Sequence, residues 1–177
     1  MKTHTKILLA VMCALVLGLP LLAQTRDALT EQESDDLREV AQEPLKRMKL
    51  LIKFANGRLE TVERIQSEPK VPNRGQRMHD ALVDFRQIVD EIDDNVDDYS
   101  KKQSDLRKAL GELVPAEQAF QSRLEAIKRV SEDPKNAPIM KSYSFALQDA
   151  FESVSLSLED AKKTLDEQNE ALSTKKK

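Results

Sequence analysis

The sequence has no tryptophan, one cysteine and two histidines in 177 residues. Cys13 and His4 lie near the N-terminus, so the rest of the chain has no cysteine and only one histidine, His79. A lone histidine without a nucleophile motif or a second histidine supplies neither a catalytic triad nor a transition-metal site. Its neighbour Asp80 is expected to point to another side of a helix. We therefore predict a non-enzymatic protein, with His79 at an exposed or rim position.

Glycine and aromatic residues are also scarce. Aromatics make up 4% of the chain against 33% charged residues, and only four glycines occur. This balance favours long helices with solvated outer faces and disfavours a sheet-rich fold. No glycine-rich phosphate loop is present, so no cofactor is expected. The net charge of −3 disfavours nucleic acid as a partner, because phosphate binding needs clustered lysine and arginine.

The N-terminus has the layout of a secretory signal peptide. Lys2 and Lys6 precede an uncharged apolar run over residues 7–22, and the small residue Ala23 follows. This order predicts cleavage after Ala23, which leaves residues 24–177 as a single helical-bundle domain. We therefore expect an extracytoplasmic protein, either periplasmic or secreted. Because its mature part has no cysteine, stability must come from helix packing alone.

An uncleaved N-terminal anchor is the alternative to removal of residues 1–23. Leu21 is larger than the small residue usually found three positions before a cleavage point. The apolar run has about 16 residues where a spanning helix needs about 20, and Pro20 interrupts it. We favour cleavage, and we expect membrane contact only if this segment stays attached.

The longest pattern in the chain is an apolar seam from Met78 to Leu113. Its residues lie three and four apart in alternation, which predicts a long amphipathic helix. The same register continues to Val130, and Pro115 falls on its outer face. Proline removes a helix hydrogen bond, so this helix is predicted to be kinked or broken at Pro115. The seam consists of Met78, Leu82, Phe85, Val89, Ile92, Val96, Tyr99, Gln103, Leu106, Leu110 and Leu113.

Two further amphipathic segments flank this seam. The first is expected to start near Thr30, because Glu33 three residues later completes a capping box. It is predicted to kink or break at Pro44 and then to continue over residues 45–62. The last segment has its apolar positions over residues 140–172.

Two clusters of helix-breaking residues, 67–75 and 131–138, separate the three segments. The order predicts an all-α fold: an elongated antiparallel bundle of three long amphipathic helices, similar to a coiled coil. If unbroken, the middle helix of about 58 residues extends about 87 Å. Such a helix has surface left for a second copy, so a homodimer stays open.

Polar and aromatic residues occur within or beside the seams. Tyr99 and Gln103 are neighbours in the middle seam, and Gln168 is a polar residue in the last one. They can line a ligand cavity, but polar residues in a seam more often fix the helix register. Tyr143 and Phe145 flank the last seam and are expected to add to its core.

Six carboxylates lie close together in the middle segment. Asp90, Asp94 and Asp98, each four residues apart, form a stripe that is the candidate metal site, for a hard cation such as calcium. The heptad register turns these three outward, and a helical stripe lacks the glycine-containing curl of an EF-hand loop. We therefore expect a solvated acidic face and no bound metal. The cluster consists of Asp90, Glu91, Asp93, Asp94, Asp97 and Asp98.

Basic residues dominate the segment before this acidic cluster. A fold-back about residues 67–75 places residues 46–53 beside residues 88–95. Lys49 and Asp93 both take heptad position e, and antiparallel helices bring these positions together. We therefore predict a Lys49–Asp93 salt bridge, in a hairpin that explains the segregation of charge.

No residue set has both the types and the spacing that catalysis needs. We therefore expect an exported, non-enzymatic helical protein that acts as a scaffold, a chaperone-like binder or an envelope interaction module. Its partner is expected to be another protein or a second copy of the chain. The alternative is a cation or small-ligand binding protein that uses the acidic face from Asp90 to Asp98.

Overall fold

The computed structural model describes residues 27–175, and every regular element in that range is a helix. The predicted all-α class is thereby confirmed. The predicted signal peptide lies outside the described residues. The helices are α1 (Glu31–Glu39), α2 (Pro44–Ser67), α3 (Arg74–Lys101), α4 (Arg107–Ser131), α5 (Ala137–Met140) and α6 (Ser144–Lys175).

Four long helices pack around a shared apolar core. α2 packs against α3 and α4, and α6 packs against the same two helices, so the order around the bundle is α2, α3, α6, α4. α3 and α4 therefore face each other across the core. Phe85 and Phe120 meet there edge to face, with ring centroids 5.4 Å apart, and both are fully buried. The short α1 lies against α2, and α5 touches α3.

The structure does not have the three long helices predicted from the sequence. The middle one is divided, because α3 ends at Lys101 and α4 begins at Arg107. Between them Gln103 adopts a left-handed backbone conformation, with φ of 56°, which does not fit within a right-handed helix. The apolar seam gave no sign of this break, because Leu106 and Leu110 after the turn are buried in the same core as the seam residues before it.

Gln168 of α6 holds this turn in place. Its amide nitrogen donates to the Ser104 carbonyl at 3.0 Å, and its carbonyl accepts from the Leu106 amide at 2.8 Å. These are backbone groups that the interrupted helix leaves without a partner. Gln168 therefore sets the position of α6 against the turn, whereas Gln103 is exposed in the turn itself. The assignment of Gln103 to a buried seam is wrong.

The two prolines at the predicted weak points behave differently. α1 ends at Glu39 and Pro44 is the first residue of α2, a position where the missing N–H costs nothing. The chain is therefore broken at Pro44, as predicted. α4 runs through Pro115, so of the two predicted alternatives, a kink or a break, the break is wrong. Pro115 and Gly111, whose carbonyl loses its usual donor, are both exposed, so water can solvate that carbonyl.

The predicted capping box is present at the start of α1. Thr30 Oγ1 accepts from the Glu33 amide at 3.2 Å, and Glu33 Oε2 accepts from the Thr30 amide at 2.8 Å. Arg58 of α2 donates to Glu33 Oε1 at 3.0 Å and to the Ala28 carbonyl at 2.7 Å. One glutamate thus caps α1 and also attaches it to α2.

The α2–α3 hairpin forms as predicted, but the Lys49–Asp93 salt bridge does not. Arg47 is the residue of α2 that reaches the acidic segment, and it binds Glu91 at 2.9 Å. Lys49 lies 3.2 Å from Glu112 of α4, while Asp93 turns toward α6. Each helix of a four-helix bundle has two neighbours on different flanks, so two e positions need not meet.

Candidate functional site

The acidic stripe on α3 does not gather around a common point. Asp90 accepts a hydrogen bond from Ser153 of α6 at 2.9 Å. Asp98 pairs with a lysine one turn later at 2.6 Å, and Asp94 is exposed. Within residues 27–175, no group of three or more histidine, cysteine or acidic side chains is placed to hold a metal ion. The candidate ligands Asp90, Asp94 and Asp98 are thus not brought together.

His79 lies at the rim of α3 with its side chain 41% exposed, as predicted. Its Nδ1 is 3.1 Å from Asp80 Oδ1. The expectation that these neighbours point apart is therefore wrong, because the two atoms lie within hydrogen-bond distance. The prediction that the protein is not an enzyme stays a prediction.

The first half of α6 carries large apolar side chains on its outer surface. Phe145 is 78% exposed, Leu156 57% and Phe151 36%. Phe145 and Leu156 are eleven residues apart, about three helical turns, so they lie on the same side of the helix. The prediction that Phe145 adds to the core is wrong, whereas Tyr143 is buried as predicted.

A groove of about 560 Å³ lies beside these residues, between α4 and α6. Leu124 and Leu147 are buried at the same place, and the exposed ring of Phe151 borders it. Phe151 lies about 120° around the helix from Phe145, so the groove adjoins one flank of the exposed apolar surface of α6. Its lining consists of Leu124, Glu125, Lys128, Met140, Ser144, Leu147, Gln148 and Phe151.

Four exposed acids lie among the exposed apolar residues of α6. Residues 144–161 contain no lysine and no arginine, and every acid among them is exposed. A patch of one sign beside an apolar surface attracts groups of the opposite charge. We call this surface the α6 face, defined by Phe145, Phe151 and Leu156 with Asp149, Glu152, Glu159 and Asp160.

Glu117 of α4 is a fully buried acid, with 0% of its surface exposed. Its Oε1 forms a hydrogen bond with the Ser157 hydroxyl of α6. Its Oε2 is buried and has no hydrogen-bond partner among the described residues. Burial raises the pKa of Glu117 to about 8, with a smaller rise from Asp93, against lowering by Ser157 and Lys162. Glu117 is therefore mostly protonated at neutral pH.

Asp93 of α3 approaches the same point from another side. Burial raises the pKa of Asp93 to about 6, and hydrogen bonding to Ser157 opposes that rise. Three further carboxylates also raise it: Asp160, Asp90 and Asp97. Ser157, itself 0% exposed, thus lies between carboxyl groups from two other helices.

Sequence reasoning missed Glu117. It lies four residues after Leu113 and three before Phe120, so it occupies a position of the apolar register itself. An ionisable side chain at such a position was the available signal. Ser157 offers no comparable signal, because a serine in a helix does not show which carboxyl groups surround it.

No helix within residues 27–175 is long and apolar enough to cross a membrane. The chain matches no protein-family model, no curated protein and no solved structure. Its function must therefore be argued from the geometry of its own residues.

Proposed function

We propose that this protein is an exported, non-enzymatic interaction module that binds a basic, amphipathic helical segment of a partner protein on the α6 face. The supporting observation is that three exposed apolar side chains and four exposed acids share one stretch of helix, residues 144–161, that has no base. The signal-like N-terminus supports export. The sequence contains no set of residues with both the types and the spacing that catalysis needs.

The apolar part of the α6 face supplies the free energy for docking. Phe145 and Leu156 are hydrated in the free protein, and burial of apolar surface contributes about 25 cal/mol per Å². An amphipathic helix places side chains three, four and seven residues apart along such a surface. The adjoining groove can receive one of these side chains beside Phe151.

The charge of the α6 face selects the partner. Lysine and arginine on the docking helix are favoured by the exposed acids, whereas an acidic protein or an anionic membrane surface is repelled. A symmetric homodimer through this face is disfavoured for the same reason. Such a dimer packs the α6 face of one copy against the α6 face of the other, which places acids opposite acids.

The test uses two synthetic amphipathic peptides that share an apolar face of leucine and phenylalanine. One carries lysine on its polar face and the other carries glutamate. Calorimetry is expected to show binding of the lysine peptide alone. Phe145→Ser and Leu156→Ser should each weaken that binding about tenfold, which corresponds to about 1.4 kcal/mol.

Val130→Ser is the matched control, because Val130 is 48% exposed but lies on α4 outside the α6 face. It should leave binding unchanged. Equal binding of both peptides, or binding of neither, would reject the proposal. Sedimentation that shows a dimer abolished by Phe145→Ser would instead assign the face to a second copy. A calcium titration whose heat is lost in Asp94→Asn would favour the cation-binding alternative.

A further inference from the structure

Three helices each place one polar group at the same buried point. α4 supplies Glu117, α6 supplies Ser157 and α3 supplies Asp93. Glu117 and Ser157 are fully buried, and Glu117 Oε2 lacks a hydrogen-bond partner among the described residues. Such an atom is costly when it carries charge. The arrangement therefore calls for a positive group or a proton at Glu117.

A proton at Glu117, and not a cation, fits the hydrogen-bonding capacity of Ser157. The Ser157 hydroxyl has a single proton to donate and two lone pairs that accept. If Glu117 and Asp93 were both ionised, only one of them could receive that proton. A protonated Glu117 resolves the conflict, because it can donate to Ser157 Oγ while Ser157 donates to Asp93.

We propose that Glu117 is a proton-binding site of the folded bundle. The proton stays on Glu117, and the hydrogen-bond chain from its carboxyl O–H through the Ser157 hydroxyl to the Asp93 carboxylate holds α6 against α3 and α4. The site differs from the α6 face in residues and in ligand, and it does not depend on the docking function.

The charges around Glu117 favour retention of this proton. α3 contributes the carboxylates of Asp93, Asp90 and Asp97, and α6 contributes Asp160 together with the cation Lys162. The α2 side chains that form ion pairs with α4 are engaged elsewhere: Lys49 with Glu112, and Glu63 with Arg123. The cations described near this point thus leave the acids in excess.

Loss of the proton should loosen the contact. The O–H bond of Glu117 breaks, its electron pair stays on the carboxylate, and the proton passes to water. Two carboxylates then compete for one hydroxyl proton, and a buried charge remains without a paired cation. Water entry between α4 and α6 relieves this, so we expect the two helices to separate around Ser157 in alkaline solution.

The test is thermal unfolding of the purified chain, followed by circular dichroism between about pH 6 and about pH 9. The wild-type midpoint should fall as the pH rises. Glu117→Gln keeps the shape and a donor without an ionisable group, so it should remove most of that fall. Glu125→Gln is the matched control, an exposed acid on the same helix, and it should retain the wild-type fall.

Parallel pH profiles for the wild type and Glu117→Gln would overturn the proposal. If Glu117→Gln does not fold, infrared spectroscopy of the wild type decides. A protonated carboxylic acid band that is present at neutral pH and disappears on the alkaline side supports the proposal. Absence of that band at neutral pH overturns it.

Discussion

Glu33 and Glu117 are two glutamates in different surroundings, Glu33 at the edge of the bundle and Glu117 inside it. Burial acts to raise the pKa of Glu33, but Arg58 and Thr30 outweigh it and the pKa is lowered. Glu117 has Ser157 alone as a hydrogen-bond partner among the described residues, and burial raises its pKa. The difference shows that burial alone does not decide ionisation; the presence of a paired cation does.

The largest expected effect is an opposite pH dependence at the two sites. The pKa of Glu117 is raised from 4.5 to about 8 on folding, so its contribution to stability is present at low pH and is lost as the pH rises. Between these two pKa values, each pH unit lowers the free energy of unfolding by about 1.4 kcal/mol. The free energy of unfolding should therefore fall by about 3 kcal/mol between about pH 6 and pH 9. Urea titrations at constant ionic strength measure this.

The Glu33 contribution has the other sign. Its folded pKa is lowered, so its stabilisation is present above the unfolded pKa and is lost as the pH falls through the folded pKa.

A free energy of unfolding that stays level or rises from about pH 6 to pH 9 would contradict the assignment for Glu117 and remove the contrast between the two glutamates.

The second prediction makes Glu33 resemble Glu117. Arg58→Ala removes the cation from a carboxylate whose side chain is only 16% exposed, and it also removes the donor to the Ala28 carbonyl. We expect a loss of about 2 kcal/mol at neutral pH, as for hydrogen bonds to charged groups, and a rise in the pKa of Glu33. Chemical denaturation and carboxyl-carbon NMR titration measure the two effects.

Arg64→Ala on the same helix is the control, because Arg64 is exposed. It should change stability by less than about 0.5 kcal/mol. If Arg58→Ala has no greater effect than this control, the attachment of α1 to α2 does not depend on the ion pair.

The smallest effect concerns a pair at the surface. Lys49 and Glu112 have side chains 53% and 54% exposed, so solvent screening limits their coupling to about 0.5 kcal/mol at low salt. A double-mutant cycle on Lys49→Ala and Glu112→Ala should show this coupling. The cycle on Lys49→Ala and Asp93→Ala should show none, and coupling there would restore the register predicted from the sequence.

Much of the local structure could be predicted from nearby residues. The capping box at Thr30, the new helix at Pro44 and the hairpin about residues 67–75 each depend on interactions within a few positions of the chain. The helical class follows from spacing repeated over many turns. Such features depend little on what the opposite side of the bundle contains.

The turn over residues 102–106 and the exposed side of α6 could not be predicted from nearby residues. An apolar seam keeps its period when a helix folds back on itself, so period alone does not show where the turn lies. Phe145 and Leu156 are apolar residues on an outward side, and apolarity by itself suggests burial. Only the position of α6 relative to its neighbours separates the two outcomes.

The helical class and the starts of α1 and α2 could be predicted from residue spacing and capping residues. The Lys49–Glu112 ion pair, the turn of Asp93 toward α6 and the place of Ser157 between two carboxyl groups depend on how the helices pack. The physical reason is that helix formation and capping are local interactions, whereas ion pairing and the pKa of a buried acid depend on residues brought together from distant parts of the chain.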